Sequence, residues 1–436
     1  MKKLLEIAKK VCDQAEVYSY ENSESEVDFT HAELHDIKSK IQSGVALRII
    51  KDRKLGFAYT CNLINREELL ENALDSLKGK VKANYEFPFT KNLPNLNTYD
   101  NAIEKLAENL FVEECSRICD ILKSKTDGEI EFGAGKDVTK IQIVNTSGTD
   151  VTNLTSSYGI GGSLIFPGGA AGVNRVFSKK KFQKTPDSIL DEMISLYNSA
   201  KKVVEPKSGK MKVLFMPFSI YTLTWRIKSG TSAMSIYEKI SPVADKIGKK
   251  IFDDKFTLYD DPLNDKYPGA RAFDDEGVAC KTFTLIENGV LKSFYYDLNY
   301  AKKLNAKSTG HGYRTIDWGG DPITLKPVPS LQYLTIKPGN KTFRGLVKMI
   351  DKGIILDGVM GAHSGNIPNG DYSVGVSPAF YVENGEIIGR VKDAMVAGNV
   401  YETLKNIVAI EDTVHDCWGG RFPAILCDNV SVATKR

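Results

Sequence analysis

Apolar residues recur three and four apart at the start of the chain. Leu4, Leu5, Ala8, Val11 and Cys12 predict a helix over about residues 2–14. The pattern then turns strand-like from Glu16 to about Thr60. Its clearest part is a hairpin, Gly44–Ile50 and Leu55–Tyr59, joined by the polar turn Lys51–Lys54. Asn65 with Glu68 three residues on forms a capping-box-like start to a helix whose apolar face is Leu69, Leu70, Ala73 and Leu77. Residues 80–99 hold Pro88 and Pro94 without periodicity and predict a loop. A long helix is expected from about Asn101 to Lys123. Short strands follow at Ile130–Gly133, Lys140–Asn145, Val151–Tyr158 and Gly161–Phe166, then a helix at about Pro186–Val203.

Glu205–Lys210 is polar, bears Pro and Gly, and breaks every period, so it is the best boundary in the chain. The buried strand Val213–Met216 opens the second half. A helical stretch follows, and from about Ala270 strands and Gly-containing turns dominate. Without regular βαβ alternation the fold class is α+β. Its N-terminal region has antiparallel strands with flanking helices, and its C-terminal domain is dominated by antiparallel β-sheet. Three stretches are expected as domains: 1–80, 100–204 and 211–436.

The chain has 436 residues with 58 basic and 55 acidic side chains, a formal net charge of +3. That balance gives no electrostatic reason to expect nucleic acid or an anionic membrane surface as a partner. No stretch approaches the roughly 18–20 apolar residues that span a bilayer, and the Lys- and Glu-interrupted N-terminus is not a signal peptide. Seven scattered cysteines without a Cys-x-x-Cys pair fit reduced thiols. The expected location is the cytoplasm.

Candidate chemistry is sparse. Gly159, Gly161, Gly162, Gly168 and Gly169 lack the following helix and Lys of a phosphate loop and read as turn glycines. His31 and His35 lie four apart, but between strand-like runs, where such positions need not converge on a metal. Cys115 and Cys119 read as buried thiols on one helix face. His415, Cys417 and Cys427, with Glu411 and Asp412 upstream, form a loose group whose spacing does not show convergence. Asp253-Asp254 and Asp260-Asp261 read as carboxylates on solvated turns, and none has calcium-loop spacing. No Gly-x-Ser-x-Gly elbow is present.

The third acidic cluster opens a longer pattern. Asp274-Asp275-Glu276-Gly277 leads into Leu285-Ile286-Glu287-Asn288-Gly289-Val290-Leu291, then Ala301–Leu304 and Ser308-Thr309-Gly310-His311-Gly312-Tyr313-Arg314. Gly361–Asn366, Gly370–Ser373, Val382–Glu386 and Val396–Asn399 follow in order, and the Gly44–Thr60 hairpin and Asn145–Gly148 precede them. This series resembles the TldD/PmbA family over nearly the whole chain. The resemblance implies that TldD-type members are zinc metalloproteases with His-Glu-x-x-x-His on a helix after the first C-terminal strand. Here that stretch, Pro217 to Gly230, contains neither histidine nor glutamate, and no histidine lies between His35 and His311. The resemblance is therefore to the PmbA/TldE branch, whose members pair with a TldD-type subunit to degrade extended peptides.

The expected role is a subunit without catalytic residues, metal or cofactor of its own, with zinc held by the TldD-like partner. Its other partner is an extended or unfolded peptide, and a homodimer is expected when the chain is isolated. His363, Ser364, Gly365, Asn366, Asp371 and Ser373 are the candidates for substrate groove or subunit contact, since small and polar residues there let another backbone approach. Two other readings stay open. One is independent hydrolysis through His363 or the His415/Cys417/Cys427 group, and the other is a non-catalytic binding homodimer.

Overall fold

The computed structural model describes residues 1–316, 319–417 and 419–434. The fold is α+β and rests on two large sheets. In the first, β1 (Gln14–Thr30) turns back at His31-Ala32 into β2 (Glu33–Lys51), which turns at Asp52-Arg53 into β3 (Lys54–Thr60). All four turn residues have φ between 50° and 61°, the two-residue geometry that matches strand twist. β4 (Glu129–Asn145), β5 (Asp150–Ile165) and β6 (Gly172–Lys179) complete the antiparallel order β3-β2-β1-β4-β5-β6.

Several expectations change here. The stretches 1–80 and 100–204 share this one sheet, because β1 pairs with β4 along its length from Glu16 to Phe29. The four short strands between Ile130 and Phe166 are two long ones. Gly159, Gly161 and Gly162 are strand residues: Gly159 faces Gly135 and Gly161 faces Gly133. A Cβ at Gly162 would run into the backbone of Glu131, so close strand approach, not a turn, is what requires glycine.

α1 (Lys2–Ala8) stops short of its predicted end, since the Asp13 N–H already bonds Ile50 O at 2.9 Å and opens the β1 ladder. α2 (Arg66–Ser76) is capped by Asn65 as its sequence indicates. The long helix is split into α3 (Asn101–Glu104) and α4 (Glu108–Lys125), because the Lys136 ammonium donates to the Glu104 and Leu106 carbonyls that a continuous helix would use. α5 (Asp187–Ser199) precedes β7 (Val203–Val204) and β8 (Gly209–Phe215). No helix among the described residues is long and apolar enough to cross a membrane.

The second sheet has ten strands. At its centre β8 runs antiparallel to Ile425–Thr434 and parallel to Lys352–Leu356. One face, through Leu214, Ile355 and Phe380, shares a core with α4 and α5. The other, through Val213, Phe215 and Val396, packs with α6 (Pro217–Thr231) and a smaller sheet that carries Leu258 and Leu285.

Two buried arginines of the first sheet reach carboxylates of the second half. Arg48 on β2 donates Nε and Nη2 to Glu16 at 2.9 and 2.8 Å and Nη1 to Glu276 at 3.1 Å, with all three side chains at most 2% exposed. Arg175 on β6 bonds Glu192 and the buried Asp357, the latter at 3.1 Å. Removing one member of such a buried group leaves an uncompensated charge, a cost of about 3–5 kcal/mol.

Asp297, buried close to the first joint, caps the helix Leu298–Lys303 by accepting from the Tyr300 N–H at 2.7 Å. Burial, reinforced by the Glu276 charge, raises its pKa to about 8. A carboxyl whose folded pKa lies above its unfolded value keeps its proton longer in the folded state. Its contribution is therefore fully present below about pH 4 and is lost as pH rises through 8. Asp297→Asn keeps the cap and should flatten the stability curve over this range. Urea unfolding should show a gain of several kcal/mol, up to about 5, at pH 8 and almost none at pH 4. A wild-type curve as flat as the variant's would contradict this account.

Candidate functional site

α6 begins with Pro217 directly after Met216, where a missing N–H costs nothing. Ile220, Leu223 and Ile227, spaced three and four apart, are at most 1% exposed and form its core face. A second stripe, Tyr221, Trp225, Lys228, Ser229 and Ser232, recurs at helical spacing on another face. Trp225, Lys228, Ser229 and Ser232 line a cleft of about 490 Å³ whose opposite wall includes Tyr295, Ile316, Ser330 and Gln332. Tyr295 ties the two walls by donating its hydroxyl to Lys228 O at 2.7 Å, and the Gln332 amide donates to Ser330 Oγ at 2.6 Å.

Arg226, fully buried, makes α6 and the 361–371 loop one body. It donates Nε to Asp371 O at 2.6 Å, Nη1 to Thr222 O at 2.9 Å, and Nη2 to Ala362 O and Ser364 O at 2.9 and 2.8 Å. Burial pulls its pKa below the ordinary arginine value, although the Asp371 charge opposes this, and all of these hydrogen bonds go to backbone carbonyls. A zinc ion does not fit this helix: α6 offers phenol, hydroxyl, indole and guanidinium groups, and zinc binds imidazole, thiolate and carboxylate.

The six sequence candidates fall on this loop and the strand after it. His363, Gly365 and Asn366 are exposed, Ser364 is half-buried, and Gly365 takes φ +98° because a Cβ would press on Asp371 O. The Asp371 carboxylate accepts from the side chains of Asn399 at 2.8 Å and Asn369 at 3.1 Å. Ser373 lies two residues further along the strand Asp371–Val376. None of the six lines the α6 cleft. No histidine, glutamate or cysteine marks the α6 side of the cleft in sequence; the helical spacing of Trp225, Lys228, Ser229 and Ser232 is the signal it carries.

The other candidates separate in space. His31 sits at a turn and contacts Glu129 at 2.7 Å, while His35 lies on β2. Cys115 and Cys119 are buried, with burial raising their pKa to about 12 and about 11. His415 pairs with Glu411 at 3.1 Å, and this partner raises its pKa although burial opposes the charge. Cys427 is fully buried opposite Val213. Among the described residues, His415, Cys417 and Cys427 form no metal-holding group. Asp260 is not on a solvated turn: it is fully buried, accepts from Tyr333 N at 2.7 Å, and lies 3.5 Å from His311 Nε2.

The signature acids are structural too. Asp274 accepts from the N–H groups of Glu276, Val278 and Gly312 at 2.8–3.0 Å. Asp275 accepts from Arg271 Nη2 and Arg314 N, both at 2.8 Å, and Glu276 accepts from Arg48 and Leu298 N. A Cβ at Gly312 would run into the Glu276 carboxylate, so the Asp-Asp-Glu-Gly and His-Gly segments are built to interlock.

Comparison with known proteins fits this architecture. Residues 208–434 match the family model described as the PmbA/TldA metallopeptidase C-terminal domain, and residues 15–77 match the model for its domain 1. The chain belongs to the PmbA/TldD family. An uncharacterized protein of Methanocaldococcus jannaschii is 26% identical over 94% of this chain and 95% of its own length. A metalloprotease PmbA homolog of Haemophilus influenzae is 30% identical over 54% of this chain and 50% of its own. The crystal structure of TldE from Thermococcus kodakarensis superposes with a TM-score of 0.91, covering 99% of both chains at 24% identity, a likeness of fold.

Arg226→Met should strip four hydrogen bonds from three loop or strand carbonyls and one in α6. The expected loss is about 2–5 kcal/mol by urea unfolding, with faster amide exchange concentrated in residues 361–371. Arg226→Lys, which keeps the charge but not the planar fork, should fall between. Uniform exchange across the loop in wild type and Arg226→Met would contradict the clamp.

Proposed function

We propose that this chain is a non-metallated, PmbA/TldE-like subunit that holds an extended peptide while a TldD-type zinc subunit cuts it. The supporting observation is the division of labour on α6. The helix keeps its core face and its place beside a cleft, yet the positions facing that cleft carry Trp225, Lys228, Ser229 and Ser232, not zinc ligands or a general base. Without those, no group there lowers the pKa of a water for attack.

In this reading the cleft receives backbone and apolar side chains of the peptide, using Trp225 and Ile316 as platforms and Ser330 and Gln332 as polar handles. The 361–371 loop, with His363, Ser364, Gly365 and Asn366 presented and Asp371 held from behind by Asn399, is the contact for the partner. Ser373 extends that contact along the strand. The seven free thiols, several with pKa raised by burial, suit the reducing cytoplasm where the pair would work.

The test is metal analysis and peptidase assay of the purified chain, alone and mixed with a His-Glu-x-x-x-His-bearing paralogue from the same genome. Expected are no stoichiometric zinc and no turnover by the chain alone, and a mixture at least tenfold more active than the paralogue by itself. Stoichiometric zinc together with activity in the isolated chain would overturn the proposal. Inertness of every mixture would favour a binding homodimer instead.

A further inference from the structure

β2 has a neighbour on both sides for only part of its length. β1 pairs with it from Glu33 to Lys51, but β3 pairs with it only from Val45 to Lys51. Among the described residues, no backbone group bonds the outer side of Glu33–Ser43. This open edge contains neither proline nor glycine, and it exposes Leu34 at 46%, Ile37 at 49% and Ile41 at 85%. Natural proteins block such an edge, commonly with lysines. Here the lysines are balanced from behind. Lys38 is held by Asp28 at 2.8 Å, Asp36 at 3.4 Å and Glu26 at 3.9 Å, and Lys40 stands across from Glu24. The Ile50 carbonyl points to the β1 side, where it accepts from the Asp13 N–H. Peptide groups alternate along a strand, and the β1–β2 register is unbroken from Ile50 to Asp36. The odd positions Ile37, Ser39 and Ile41 therefore turn their N–H and C=O outward.

We infer that this edge pairs with the same edge of a second copy of the chain, antiparallel about Ile37, joining two first sheets into one. The order of charges selects a second copy as the occupant. Asp36 stands across from Asp28 on β1, a like pair, and shares Lys38 with two other carboxylates. With Ile37 on the two-fold axis, Lys38 of the second copy lies directly opposite Asp36. Lys40 of the second copy lies opposite Leu34, on the diagonal to Asp36. The relation holds in both directions, as a two-fold contact requires, and Ile37 meets Ile37 with both peptide groups facing across. Centring on Lys38 would set two lysines opposite each other, which is unfavourable. Four carboxylates on this face, Glu24, Glu26, Asp28 and Asp36, outnumber its two lysines. Those on β1 would stand three strand spacings, about 14 Å, from the β1 of the second copy, beyond the screening length of about 8 Å at physiological salt. None of these residues lines the α6 cleft, so the contact does not rest on the peptide-holding role.

Sedimentation analysis of the full chain should show a dimer. Ile37→Pro removes an N–H that β1 does not use, at a place where a strand edge tolerates proline. It should give a monomer with an unchanged Tm. Cross-linking tests the register without weakening the edge. In a Cys61→Ser background, which removes the exposed thiol, Ile37→Cys should form a disulfide between copies on mild oxidation. Directly opposed Cα atoms of a hydrogen-bonded pair are about 5.5 Å apart, within disulfide reach. Ile41→Cys should not cross-link, since eight residues, about 27 Å of strand, would separate it from the same position in the second copy. A monomeric wild-type chain would overturn the inference, even if a paralogue binds the edge. So would a dimer in which Ile37→Cys cross-links no faster than Ile41→Cys, or one that Ile37→Pro leaves intact.

Discussion

The placement of everything around the cleft depends on Arg48 holding Glu16 and Glu276 together out of water. Glu16 and Arg48 belong to neighbouring strands of the first sheet, and Glu276 belongs to the signature loop of the second half. Separation of the two would leave a buried cation or two buried carboxylates without a partner, which is far costlier than the pair is stabilising. Arg175, bonded to Glu192 and Asp357, repeats the device at another point of contact. Two such joints fix a relative orientation where one would allow rotation about it. Glu276 and its neighbours also hold Gly312, Arg314 and Leu298, so the joint sets the segment that leads into the Thr315–Ile316 wall of the cleft.

This gives a physical reason for acidic residues that look catalytic in sequence. Asp274, Asp275 and Glu276 are at most 4% exposed, and all three are consumed by backbone N–H groups and arginines. Burial raises the pKa of Asp274 and of Glu276, whose charges oppose each other, so the cluster tolerates only a limited number of ionised acids. Carboxylates buried this deeply, with each oxygen engaged by a structural donor, are out of reach of a substrate proton. The chemistry that a paired-carboxylate motif suggests is thereby spent on positioning.

What was legible followed from local rules. The Asn65 cap, the Gly44–Tyr59 hairpin and the buried Cys115 and Cys119 on one face of α4 each depend on residues close in sequence, and each stands as read. The errors arose where a distant partner decided the outcome. Lys136 draws off the carbonyls between α3 and α4, and glycines facing glycines across β4 and β5 lie in strands because the opposing backbone approaches closely. Asp260 reads as a surface acid because nothing within ten residues announces His311. The order of signature motifs carried the family, while the cleft itself draws on α6, Tyr295, Thr315, Ile316 and residues 328–332, which no single period links.

α6 shows how such a fold can keep its shape while its chemistry changes. Ile220, Leu223 and Ile227 secure the helix in the core through one face, and Arg226 secures it to the 361–371 loop through another. The stripe that borders the cleft is held less tightly, although Tyr221 and Trp225 also pack their buried parts against the core. Substitutions at the half-buried Lys228 and Ser229 therefore meet fewer packing constraints than substitutions on the core face. The opposite wall is more constrained, because its Thr315 and Ile316 directly follow Arg314, whose backbone N–H is held by the buried Asp275.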